Sequence, residues 1–218
     1  MNTQERPLER TYAAVAAVVC WITLGLQLYL SLTLAATNNV TPVQATVNFF
    51  SYFTVLINLV AAIAFTSRLL APESKLYRLF TDPHIATAIA AYITIVAVVY
   101  SAVLRAVWEP TGLQRVVDIA LHDVIPVAYI VFWLLFVRHG PGVRWTEPVR
   151  WLVVPLVYIA YTLVRGALTG WYPYDFLDVP AIGVNSVARV AVGLSVAFWA
   201  VGLCFVALNR WLSKSHRA

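Results

Sequence analysis

Charge is what this chain has least of: 11% of its 218 residues are Asp, Glu, Lys or Arg against 61% hydrophobic, and the mean hydropathy is +0.77. Soluble domains carry about a quarter charged residues, so a water-facing surface is excluded and the composition specifies lipid. Cysteine is nearly absent. Cys20 and Cys204 both lie inside apolar runs, which argues against a disulfide framework or a Cys-based metal site. Histidine is scarce too, with His84 and His139 at loop edges and His216 in the tail, so no His–acid cluster assembles. The reading is no metal and no cofactor. Room for a separate soluble domain is also lacking, because a membrane span takes roughly 20 residues and at most about seven would fit.

What is present is a series of long apolar runs. Six reach spanning length, near 12–36, 46–70, 85–108, 119–137, 151–168 and 187–208, and residues 1–218 read as one six-helix transmembrane domain of all-α class. The first run is too long for a signal-peptide core and reads as an uncleaved span. The net charge of +5 is topological and does not indicate nucleic acid. Arg6, Arg10, Arg68, Lys75, Arg78, Arg138, Arg144, Arg150, Arg210, Lys214 and Arg217 all fall on one side of this layout, eleven of fifteen basic residues. The positive-inside rule therefore places both termini in the cytoplasm of a multi-pass cell-membrane protein.

An ionisable residue inside a span costs at least about 2.5 kcal/mol at the bilayer centre and is a functional hypothesis by default. Arg105 ends span three, Asp118, His122 and Asp123 open span four, Arg165 ends span five and Arg189 opens span six, all in the outer half. Span two enters from the same side and carries Ser51, Thr54 and Asn58 at spacings of three and four on one helical face. At 1.5 Å per residue Thr54 lies about 10 Å below Val47 and His122 about 5 Å below the start of its span. Thr54 and His122 are thereby placed to share a water-accessible cavity. A Thr hydroxyl attacks only when a base takes its proton, His is the usual base, and Asp118, one turn before His122, is placed to orient the ring.

The same residues have structural readings. Thr, Ser and Asn in spans hydrogen-bond to carbonyls or join helices, and outer arginines snorkel. Arg165 sits deeper, where a carboxylate or an anionic ligand would offset its burial. Pro126 and Pro155 fall within spans four and five, where each removes a backbone hydrogen bond. The outer connection TGWYPYDFLDVPAIGVNS, aromatic and aperiodic, reads as an interfacial anchor or a lid.

FFSYFTVLINL in span two, LHDVIP in span four, and WLVVPLVYIAYTLVRG followed by WYPYDFLDV around span five resemble the androgen-induced and androgen-dependent TFPI-regulating membrane protein family. The resemblance covers most of the chain. It implies a transmembrane threonine hydrolase cleaving fatty acid esters of hydroxy fatty acids, with Thr54 as nucleophile and His122 as base. The chain differs from animal members in the His-to-Pro and Thr-to-Asn intervals and at Asp175, so the chemistry carries over more directly than the particular lipid. The resulting expectation is a lipid ester hydrolase with Asp118, Asn58 and Ser51 in support and Arg165, Arg189 and Arg105 as carboxylate-binding candidates. Its partners are a lipid or fatty-acid ester substrate and the membrane lipids, with no nucleic acid and no specified oligomeric state. The rival expectation is a lipid-binding or transport protein that uses the same polar cluster without covalent chemistry.

Overall fold

A computed structural model describes residues 5–137, 139 and 142–215; Arg138, His216 and Arg217 lie outside them, as does the side chain of Arg6. The chain runs through α1 (Glu5–Thr37), α2 (Pro42–Phe49), α3 (Phe53–Ser67), α4 (Lys75–Thr81) and α5 (Pro83–Val99), the last prolonged by a π-helical turn at Tyr100–Leu104. Then follow α6 (Gly112–Ile119), a second π turn at Ala120–Val124, α7 (Ile125–Phe136), α8 (Glu147–Trp151), α9 (Val153–Thr169), α10 (Val179–Ile182) and α11 (Val184–Ser215). Helix accounts for 82% of the structure, with no strand among the described residues. Five helical segments are long and apolar enough to cross a membrane, and the bent pair α2–α3 makes a sixth. The protein is an all-α polytopic membrane bundle.

The outward faces explain why charge is dispensable. Along α9, Val153, Val157, Tyr161, Val164 and Leu168 are exposed at helical spacing, while Tyr158, Thr162 and Gly166 turn inward. Such a stripe would aggregate in water and is the ordinary solvent-facing surface in lipid. Inside, Ala61, Ala62 and Ala64 of α3 and Ala86, Ala88, Ala90 and Ala91 of α5 are buried and let backbones approach closely. Phe65, Tyr129, Phe132 and Trp133 fill the remaining volume, and Trp133 Nε1 donates to Thr87 Oγ1 at 3.0 Å.

α1 and α11 each run seven residues beyond the expected spans, beginning at Glu5 and ending at Ser215, and the second and fourth spans differ in ways that bear on the site. Residues 46–70 do not form one helix: the chain breaks at Phe50–Tyr52 and α2 and α3 meet at 73°. An apolar run looks the same whether straight or broken, so hydropathy alone does not reveal the break. Lipid tolerates one only where the freed backbone groups find partners, and α9 supplies them. Tyr158 Oη donates to Ser51 O at 2.8 Å and accepts from Phe53 N–H at 3.2 Å, and Tyr161 Oη lies 2.8 Å from Ser51 Oγ. The fourth span starts at Gly112, seven residues before the expected edge at 119.

Both prolines act on the backbone as their chemistry requires. Pro155 has no N–H for Trp151 O; the helix is interrupted at Leu152 and Tyr92 Oη donates to Trp151 O at 2.7 Å instead. Pro126 likewise cannot donate to His122 O, and the preceding turn widens so that Ile125 N–H reaches Ala120 O. That widening releases Leu121 O, which accepts from Asn58 Nδ2 at 3.2 Å.

Gly166 is required by contact. A Cβ there would stand 2.0 Å from the Tyr172 ring. Gly166→Ala, elsewhere in a helix a stabilising change, is therefore expected to destabilise by about 1–3 kcal/mol. Thermal unfolding in detergent measures it, and adding Tyr172→Ala should restore most of the loss; a neutral single variant would mean the ring does not rest on this glycine.

Candidate functional site

Thr54 is the second residue of α3, immediately past the break. First-turn amides have no carbonyl one turn back, and Thr54 N–H donates to Tyr174 Oη at 3.3 Å, with Thr54 Oγ1 3.4 Å from the same oxygen. Tyr174 comes from the connection between α9 and α10. Its ring is stacked on Phe176 at 5.0 Å and packs edge-on against Tyr52 at 5.6 Å. Burial pushes the Tyr174 phenol above its ordinary value, so at neutral pH it is an uncharged hydroxyl and a hydrogen-bond donor.

His122 is buried in the second π turn. Its Nδ1 lies 2.9 Å from Asp118 O and 3.3 Å from Asp118 Oδ1. A carbonyl oxygen only accepts, so this contact places a proton on Nδ1; in the neutral ring Nε2 then keeps its lone pair, the form in which a histidine acts as a base. The imidazole is stacked on Tyr100 from the other π turn, centroids 3.8 Å apart and planes 11° apart, and Tyr100 Oη donates to Asp118 Oδ2. Two widened turns thus hold one Tyr–Asp–His unit together. π turns recur where a helix must present side chains out of register.

Thr54, Asp118 and His122 line one cavity of about 400 Å³, together with Tyr52, Tyr100, Tyr174, Gln27, Gln114 and others. This falls in the usual range for small-molecule sites, about 300–1,000 Å³. Thr54, Tyr100 and Tyr174 also line a narrower apolar cleft between α5, α9 and α11, where Val96, Val99, Pro155, Ile159, Leu194 and Phe198 form the walls. Thr54 therefore stands at the junction of a mixed-polarity chamber and an apolar one.

The other expected site residues divide. Asn58 is fully buried, and its Nδ2 donates to Thr54 O at 2.8 Å and to Leu121 O. Both donors are committed, so Asn58 ties α3 to the His122 turn and has none left for an oxyanion. Ser51 sits in the break rather than on the α3 face and bonds Val47 O at 2.7 Å as well as Tyr161. The arginines do not line the chamber. Arg105 pairs with Asp123 through Nη2 at 2.6 and 2.7 Å, Arg165 donates to Asn48 Oδ1 at 2.5 Å with its guanidinium 4.4 Å over Trp171, and Arg189 reaches Ser186 at 3.2 Å. Among the described residues no group of three or more His, Cys, Asp or Glu is arranged to hold a metal.

Tyr100 and the two glutamines had only weak signals in sequence. A tyrosine near a span end reads as an interface anchor, and a single Gln in an apolar run carries no charge to mark it. Comparison with protein-family models, curated proteins and solved structures finds no match to this chain.

Proposed function

We propose that the protein is an integral-membrane hydrolase of a lipid ester, with Thr54 as nucleophile and His122 as general base. The observation that carries this reading is the placement of Thr54 and a tautomer-fixed His122 on one cavity wall beside an apolar cleft. Its resemblance to transmembrane threonine hydrolases points the same way, and the positive-inside distribution of basic residues supports a cell-membrane protein with cytoplasmic termini.

In this mechanism Thr54 Oγ1 bonds to the ester carbonyl carbon while its proton passes to His122 Nε2, directly or through one water. Tyr174 Oη, next to Oγ1, donates to the developing oxyanion. Collapse breaks the ester C–O bond, and the departing alkoxide takes the proton from His122. Water then attacks the acyl-Thr54 ester, gives its proton to His122 and releases the acid, with the proton returning to Thr54 Oγ1. Asp118 keeps the imidazole in its tautomer and stabilises the imidazolium, and Tyr100 holds Asp118.

No direct hydrogen bond joins Thr54 Oγ1 to His122 among the described residues, and this favours the second reading, a lipid-binding or transport protein without covalent chemistry. A fluorophosphonate probe separates the two. Labelling of the wild type at Thr54 by peptide mass spectrometry, lost in Thr54→Ala and strongly reduced in His122→Gln, is the expected result; an unlabelled wild type would favour the binding reading.

A further inference from the structure

The hydrolase reading leaves open what is esterified to the acyl group, and the chamber wall bears on it. Gln27 and Ser31 of α1 and Gln114 of α6 form a half-buried ladder. Gln114 Nε2 donates to Gln27 Oε1 at 3.0 Å, Gln27 Nε2 to Ser31 Oγ at 3.4 Å, and Ser31 Oγ to Gln27 O at 2.8 Å. Two half-buried amides in a membrane bundle are costly to desolvate, yet here they face a cavity in place of packed side chains. Amide groups offer both donors and acceptors at fixed positions, the pattern that suits neighbouring hydroxyls.

The charge on the wall is of one sign. Asp118 and Asp175 line the chamber, and among the described residues no Lys or Arg does. Arg105 and Arg189 bond to Asp123 and Ser186, and Arg165, which bonds Asn48 through Nη2 and keeps a buried Nη1 without a hydrogen-bond partner, does not line the chamber. A free carboxylate entering this space would lose water, meet two acids and find no counter-ion. On the far side of Thr54 the cleft is apolar and about 50 Å³, enough for the few carbons of an alkyl chain next to the carbonyl, with the rest of the chain running out between the helices into lipid.

We propose, resting on the hydrolase reading, that the substrate is a fatty-acyl ester of a neutral polyhydric alcohol, with the acyl chain in the α5–α9–α11 cleft and the leaving alcohol on the Gln27–Ser31–Gln114 ladder. Glycerol monoesters are the simplest members of this class. The alcohol oxygen leaves with the proton returned by His122, so the products are the free polyol and the fatty acid, and one water is consumed.

The test compares two esters with the same acyl chain, 1-oleoylglycerol and the oleoyl ester of 9-hydroxystearic acid, on the purified full-length protein in detergent micelles. The expected kcat/KM is at least about tenfold higher for oleoylglycerol. Gln114→Leu should narrow that ratio to below about threefold, chiefly through the KM for oleoylglycerol, and Gln114→Arg, which supplies a counter-ion, should raise turnover of the hydroxystearate ester above wild type. Equal or faster wild-type cleavage of the hydroxystearate ester overturns the proposal without needing any variant. A parallel fall on both esters in both variants also overturns it, since that marks Gln114 as structural. If neither ester is cleaved and Thr54 takes no probe, the hydrolase reading itself fails and this inference with it.

Discussion

Thr54→Ala is expected to lower ester hydrolysis by about a thousandfold or more while leaving the thermal unfolding of the bundle nearly unchanged. The split follows from the environment of the side chain. Thr54 Oγ1 has one long contact, 3.4 Å to Tyr174, whereas the backbone N–H of the same residue keeps its bond to Tyr174 in the variant. Removing the hydroxyl therefore deletes the nucleophile and little else. Thr54→Ser, which keeps the hydroxyl, should retain a substantial part of the rate.

His122 needs a gentler substitution, because its ring is stacked on Tyr100 and its Nδ1 faces Asp118. His122→Gln keeps a donor toward Asp118 and gives up the basic nitrogen together with the stack on Tyr100, so it too should lose about a thousandfold in rate. The double variant should lose little more than either single one, since residues acting in one proton-transfer unit are strongly non-additive. Fatty-acid release measured on the three purified variants checks this. Wild-type rates in Thr54→Ala would eliminate the covalent mechanism, whatever the other variants do.

The sequence disclosed this site unevenly, for identifiable reasons. Thr54, His122 and Asp118 were legible because polar and ionisable residues stand out against an apolar run, and helical spacing relates Asp118 to His122. Equal depth for Thr54 and His122 in the sequence requires a straight second span beginning near Val47 and a fourth span beginning near 119. Neither holds: the second span turns by 73° just before Thr54, and the fourth starts at Gly112. What brings the two residues together is the break and the π turns, features written in tyrosine hydroxyls on α9 and in Pro126 rather than in hydropathy. The arginines show a second limit. Depth alone marks them as candidate ligands for an anion, whereas the pairing of Arg105 with Asp123 and of Arg165 with Asn48 depends on which helices are neighbours.

Arg68 makes the same point at the other end of the bundle and yields the largest expected stability effect. By sequence it is one of eleven basic residues that set orientation. In the fold it is 7% exposed, with Nη1 3.1 Å from Glu9 Oε1, Nη2 3.1 Å from Phe80 O and its guanidinium 5.1 Å above the Phe132 ring. It therefore ties the start of α1 to the end of α3 and the end of α4. Glu9 is 6% exposed, so removing Arg68 takes an ion pair from a carboxylate held in low dielectric. Arg68→Met is expected to destabilise by about 3–5 kcal/mol, and Glu9→Leu by a similar amount. The double variant Glu9→Leu/Arg68→Met should cost clearly less than the two singles added together, because both singles break the same buried ion pair. Unfolding in detergent gives the cycle directly. A near-additive double variant would return Arg68 to a purely topological role, whereas strong coupling would show that a residue counted for orientation also locks the end of the bundle remote from Thr54.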